Sequence, residues 1–119
     1  VAATAAAVAA TALTVATRWT LAEAQAVFPA LSELAEEHGF RLSMFGSVLI
    51  KGEGNDLDLH LVPFGSMEAN EVRFLARFGG VLKSSRYNVA HGIRGFQVER
   101  GGKLYDFVFG AFWRPRGKA

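Results

Sequence analysis

Residues 56 to 62 read Asp-Leu-Asp-Leu-His-Leu-Val, a strict polar–apolar alternation that an extended strand sorts onto two faces. A helix would scatter the same leucines around its circumference. The chain is therefore expected to contain a strand that buries Leu57, Leu59 and Leu61 while Asp56, Asp58 and His60 point the other way. The rest of the sequence has to cover those leucines.

Two helical patterns can supply the cover. Thr20 and Glu23 have the spacing of a capping box, and Leu21, Ala24, Phe28, Leu31 and Ala35 follow at helical spacing, with Val27 and Leu34 beside them. Pro29 within this stripe is expected to kink the helix or split it in two, and Gly39 to close it. A second amphipathic helix is expected from about Ser66 or Met67 to Phe78, with Val72, Leu75 and Phe78 inward and Gly79-Gly80 as its stop. Ahead of the alternating strand, Arg41 to Phe45 reads as a short strand ended by Gly46-Ser47. Gly52 and Gly54 then mark a loop.

Val81 to Tyr87 reads as a further strand. Phe96 to Arg100 and Lys103 to Phe109 flank Gly101-Gly102, a dipeptide suited to a two-residue hairpin turn. Such a turn pairs Arg100 with Lys103, Glu99 with Leu104, Val98 with Tyr105 and Gln97 with Asp106. One hairpin face then carries Phe96, Val98, Tyr105, Phe107 and Phe109, and the other Gln97, Glu99, Leu104, Asp106 and Val108. The expected fold class is α+β: a mixed or antiparallel sheet with two helices packed on one face and the carboxylates gathered on the opposite face.

A length of 119 residues corresponds to one domain. We divide it into an Ala-rich tail (1–18), a folded domain (19–112) and a basic C-terminal tail (113–119). Half of the residues are apolar, enough for a self-sufficient core at this size. The absence of cysteine excludes disulfides, thiolate nucleophiles and Cys-ligated zinc or iron–sulfur sites. A net charge of +2 is too small to imply an electrostatic nucleic-acid binder by itself. The uncharged run from Val1 to Thr17 is compatible with a loosely helical tail, a helix packed on the domain or an export segment. It has no basic stretch ahead of it, and it is short and alanine-rich for a membrane span. No P-loop, dinucleotide fingerprint or Ser-His-Asp order is present.

Asp56 and Asp58 should emerge side by side from one strand face. Carboxylates held that close raise one another's pKa unless a cation lies between them, and Asp is disfavoured in strands. A hard divalent cation such as Mg²⁺ is the best physical partner; a solvent-facing strand with solubilising charges is the bland alternative. Three neighbours favour the cation. Gly46-Ser47 offers backbone N–H groups and a hydroxyl to phosphate oxygens, and Lys51 supplies a positive charge. Asp106 is a lone carboxylate among Leu104, Tyr105, Phe107, Val108 and Phe109, on the polar side of its strand, and burial there demands a charged partner.

Gly46-Ser47, followed after eight residues by Asp56-Leu57-Asp58-Leu59 and later by Asp106, resembles the signature of the polymerase-β-type nucleotidyltransferase superfamily, in its minimal nucleotidyltransferase-like form. Lys51-Gly52 resembles the Arg-Gly of that loop, and the likeness covers about residues 20 to 110. The loop from Ser47 to Asp56 is slightly shorter than in minimal antitoxin-type members, and no helical substrate-binding domain follows. The resemblance implies a nucleotidyltransferase-like fold and transfer of a nucleoside monophosphate from an NTP to a hydroxyl. It implies that Asp56, Asp58 and Asp106 hold two Mg²⁺ ions, that Asp106 helps deprotonate the acceptor, and that Gly46, Ser47 and Lys51 bind the nucleotide. The acceptor is a protein, an RNA such as tRNA, or a small molecule. The expected location is cytoplasmic, without a membrane partner and with an oligomer open.

Other polar residues are expected to be less central. His60 shares the aspartate face; Lys83, Arg86, His91 and Arg94 read as solvated surface that could contact phosphate; Gln97 reads as an orienting neighbour of Asp106. The tail Arg114 to Lys118 could contact nucleic acid. Two other functions stay open: a non-catalytic binding or structural module in a larger assembly, and toxin or antitoxin action by nucleotidylation.

Overall fold

The computed structural model describes residues 17–64, 69–88, 90 and 92–110. The Ala-rich run before Thr17, residues 65–68, Val89, His91 and the basic C-terminal tail lie outside the described residues. In chain order the elements are β1 (Trp19–Thr20), α1 (Leu21–Glu37), β2 (Phe40–Phe45), α2 (Ser47–Lys51), β3 (Glu53–Gly54), β4 (Asp56–Pro63), α3 (Glu71–Phe78), β5 (Val81–Asn88), β6 (Ile93–Arg100) and β7 (Lys103–Phe109). The fold is α+β. Five strands form a mixed sheet in the order β2-β4-β7-β6-β5, and β1 and β3 form a separate antiparallel pair.

The alternating segment is β4, and it pairs antiparallel with β2 and parallel with β7. Leu57, Leu59 and Leu61 are fully buried. They share one sheet face with Tyr105, Phe107 and Phe109 of β7 and Val98 of β6, because residues in register project to the same side. The β6–β7 hairpin has the expected register throughout, from Arg100 opposite Lys103 to Gln97 opposite Asp106. Its turn residues Gly101 and Gly102 both take positive φ, 62° and 77°, as a tight hairpin turn with right-handed strand twist requires.

Helix α1 begins at the expected capping box. The Glu23 N–H donates to the Thr20 hydroxyl at 3.2 Å, and the Thr20 N–H to the Glu23 carboxylate at 2.9 Å. Pro29 neither splits nor ends it: the helix runs unbroken from Leu21 to Glu37. Pro29 and Gln25, whose carbonyl the ring deprives of an N–H partner, are both exposed, so water can replace that bond. Ala24, Leu31 and Ala35 are buried, with Phe28 and Leu34 packed against the core.

Helix α3 differs from expectation in its inward face. Phe74 is fully buried and Phe78 nearly so, while Val72 is 77% exposed. At roughly 100° per residue, Phe74 and Phe78 lie about 40° apart around the helix, whereas Val72 lies about 160° from Phe74. Phe74 is the centre of an aromatic cluster, edge-on to Phe40, Phe107 and Phe109 and stacked on Phe78. Asn70 caps this helix, its side chain accepting from the Arg73 N–H at 2.9 Å.

Two features were not expected. The segment after Gly46 is a short helix, α2, which turns Val48 into the core; Lys51 is its last residue rather than part of a loop. Trp19 is almost fully buried, edge-on to Tyr105 at 5.1 Å, with its indole N–H donating to the Leu104 carbonyl at 2.7 Å.

Among the described residues, no helix is long and apolar enough to cross a membrane.

Candidate functional site

The polar face of the sheet carries a row of acidic side chains at its centre. In register, Asp58 of β4 is opposite Asp106 of β7 and Phe45 of β2, and Asp106 is opposite Gln97 of β6. Asp56 follows two residues earlier on the same face of β4. The parallel β4–β7 pairing therefore sets Asp58 beside Asp106, a neighbourhood that neither strand pattern alone could fix.

The three carboxylates have different partners. Asp56 accepts a hydrogen bond from the Gln97 side-chain amide at 2.7 Å. Asp106 is engaged by Arg86, whose Nη2 donates to both carboxylate oxygens at 3.0 Å. Asp58 lies half-buried against Asp106. Burial first, then the negative charges of Asp106 and Asp56, push its pKa up to about 6, with Arg86 partly opposing the rise. A proton on Asp58 can be shared with Asp106.

Gly46 closes one side of this group. Its φ is +83°, and a Cβ built there would lie 2.1 Å from an Asp58 carboxylate oxygen. Only glycine lets the backbone turn this tightly against the aspartate. Ser47 follows as the exposed first residue of α2. The leading N–H groups of such a turn have no intrahelical acceptors. Lys51 ends the same helix, exposed, and makes no ion pair with the aspartates.

A cleft of about 420 Å³ adjoins Asp106, lined by Phe45, Arg86, Tyr87, Asn88, Ile93 and Val108 as well. Its walls are mostly apolar, with the Arg86 guanidinium and the Asp106 carboxylate as its charged groups.

Two polar residues take structural places. His60 is buried, hydrogen-bonds the Gly110 carbonyl and lies edge-on to Phe45. Burial lowers its pKa and favours the neutral ring. Arg94 is held by Glu71 of α3, its Nε donating to a carboxylate oxygen at 2.8 Å, and so ties the helix to β6. Arg86, read from sequence as solvated surface, belongs to the acidic cluster instead. A lone Arg in an irregular strand gave no signal for this; only the sheet order brings β5 within reach. His91 lies outside the described residues.

The donor set suits a hard divalent cation in kind: adjacent carboxylate oxygens whose repulsion at Asp58 is only partly relieved by Arg86. As the side chains stand, no three acidic or imidazole groups among the described residues converge into a metal-binding group. Asp58 and Asp106 would be the first ligands, and Asp56, bound to Gln97 through one oxygen, keeps its other oxygen for an ion. The chain matches no protein-family model and no curated protein.

Proposed function

We propose that this chain is a divalent-metal-dependent nucleotidyltransferase of the polymerase-β type, moving a nucleoside monophosphate from an NTP to a hydroxyl acceptor. The observation that carries the reading is the Asp58–Asp106 juxtaposition, with Asp56 beside it and Gly46 closed against Asp58. In such a reaction the acceptor oxygen bonds to the α-phosphorus while the bond to the β-phosphate bridging oxygen breaks, releasing pyrophosphate. Bound Mg²⁺ would neutralise charge on the phosphate oxygens.

The chain's own residues have distinct tasks in this reading. Asp56, Asp58 and Asp106 bind the ions, and Asp106, next to the cleft, takes the acceptor's proton. Gly46 and the Ser47 hydroxyl hold the phosphates at the start of α2. Lys51, exposed one helical turn further on, supplies a positive charge to the phosphates. The Phe45, Ile93 and Val108 side of the cleft offers apolar contact to the acceptor. A reaction that consumes Mg-NTP belongs in the cytoplasm, and the acceptor is a protein, an RNA or a small molecule.

Titration calorimetry with Mg-NTP on the wild type and on Asp58→Asn tests the reading. Metal-dependent binding in the wild type that the variant loses supports it. No binding, or equal binding in both, removes it. A labelled-NTP screen against proteins and RNAs then identifies the acceptor.

A second reading has its own observation. Arg86 already neutralises Asp106 and Gln97 engages Asp56, which is how a non-catalytic module would settle its acidic residues. Loss of Mg-NTP binding with full stability and no transfer to any acceptor favours that module.

A further inference from the structure

Arg86 reaches Asp106 by an unusual route. It stands on the edge strand β5, opposite Gly95 of β6, and Asp106 is one strand further in, on β7. Its side chain has to cross β6 to arrive there, and it crosses over Gly95. A Cβ built on Gly95 would lie 2.6 Å from the Arg86 Cζ, 2.8 Å from Nη2 and 2.9 Å from Nε, and these are its nearest neighbours. Gly95 has no positive φ, so its backbone does not require glycine. What requires glycine there is the guanidinium lying on it.

The contact at the far end is lopsided. Only Nη2 binds Asp106, to both oxygens, while the Arg86 side chain is 56% exposed and borders the cleft. A single shared nitrogen on a half-exposed side chain is a weaker hold than a two-nitrogen fork. Arg86 is thus placed to neutralise Asp106 and to let go of it.

We infer that Arg86, seated on Gly95, is the resident counter-cation of Asp106 and competes with a divalent cation for that carboxylate. The inference rests on the proposed reading of the aspartates as a cation site, and it adds a positioning residue and a seat to it. When the ion takes Asp106, the guanidinium swings into the adjoining cleft, which Arg86 already lines. Removing the competitor should make the ion bind more tightly, whether the arginine is deleted or only unseated.

Mn²⁺ binding without nucleotide, followed by electron paramagnetic resonance at neutral pH, separates these ideas. Wild type, Asp58→Asn, Arg86→Gln and Gly95→Ala are compared, each checked for folding by circular dichroism. Arg86→Gln removes the charge; Gly95→Ala keeps it and fills the seat. We expect both to bind Mn²⁺ about fivefold more tightly than wild type, the value of one exposed ion pair, and Asp58→Asn to lose the site. If Arg86→Gln tightens binding and Gly95→Ala does not, the effect is one of overall field and the seated contact is refuted. Unchanged or weaker binding in both variants refutes the competition while leaving the cation site standing. Mn²⁺ binding that ignores Asp58 in every variant removes the cation site and the inference together.

Discussion

Asp58 is held where its charged form is least welcome, and this has a measurable consequence for stability. In the unfolded chain its carboxyl ionises near the ordinary aspartate value of 3.8; in the folded chain burial and two neighbouring carboxylates delay ionisation to about 6. Below the lower value both states are protonated and nothing is lost. Between the two values the unfolded chain releases its proton first, so stability falls as pH rises, and the deficit is complete above the upper value. The full shift would correspond to roughly 3 kcal/mol. Screening of a half-exposed group reduces that to about 1 to 2 kcal/mol. Asp58→Asn should therefore be more stable than wild type by about that amount at pH 7.5. It should show no advantage at pH 3.5, as read by urea unfolding at both values. Gly46→Ala should behave oppositely, losing about 1 to 3 kcal/mol to its left-handed backbone and to the displaced Asp58 side chain. The same unfolding curves check it.

At the scale of elements, the legibility of the sequence depended on how many residues each pattern spans. β4 and the β6–β7 hairpin announce themselves over seven or more residues, and the turn dipeptide Gly101-Gly102 fixes the pairing by itself. The placement of Asp56, Asp58 and Asp106 on polar strand faces was readable for that reason. Their adjacency was not, because it depends on the parallel β4–β7 contact between segments far apart in sequence. Arg86 was missed for a different cause: the register of β5 on β6 is broken between Leu82 and Ser84, so its seat opposite Gly95 follows from no strand pattern. Trp19 and Gly54 meet in a two-residue strand pair too short to carry any periodicity. In α3 the repeat Val72, Leu75, Phe78 counts by threes and drifts around the helix, whereas the pair Phe74–Phe78 stays on one face. Truncation separates these assignments: Phe74→Ala should cost about 3 to 5 kcal/mol, and Val72→Ala less than about 0.5 kcal/mol. Thermal or urea unfolding of the two variants reads the difference directly.

Over the whole molecule, burial falls from the middle of the sheet to one edge. β4 and β7 hold the fully buried Leu57, Leu59, Leu61, Phe107 and Phe109, and they also carry all three aspartates. β5, at the edge, has eight exposed residues and an irregular register between Leu82 and Ser84. Its Arg86 is the group that neutralises Asp106. The acidic side chains are thus fixed to the most protected strands and their counter-cation to the least protected one. Local opening of β5 can free Asp106 without disturbing the strands that position it. Amide hydrogen exchange should resolve this gradient. Amides of β4 and β7 should open only with the whole fold, and those on the outer side of β5 at least about a hundredfold faster. If β5 amides exchange as slowly as those of β4, edge and centre form one cooperative unit, and Arg86 can leave Asp106 only by side-chain rotation.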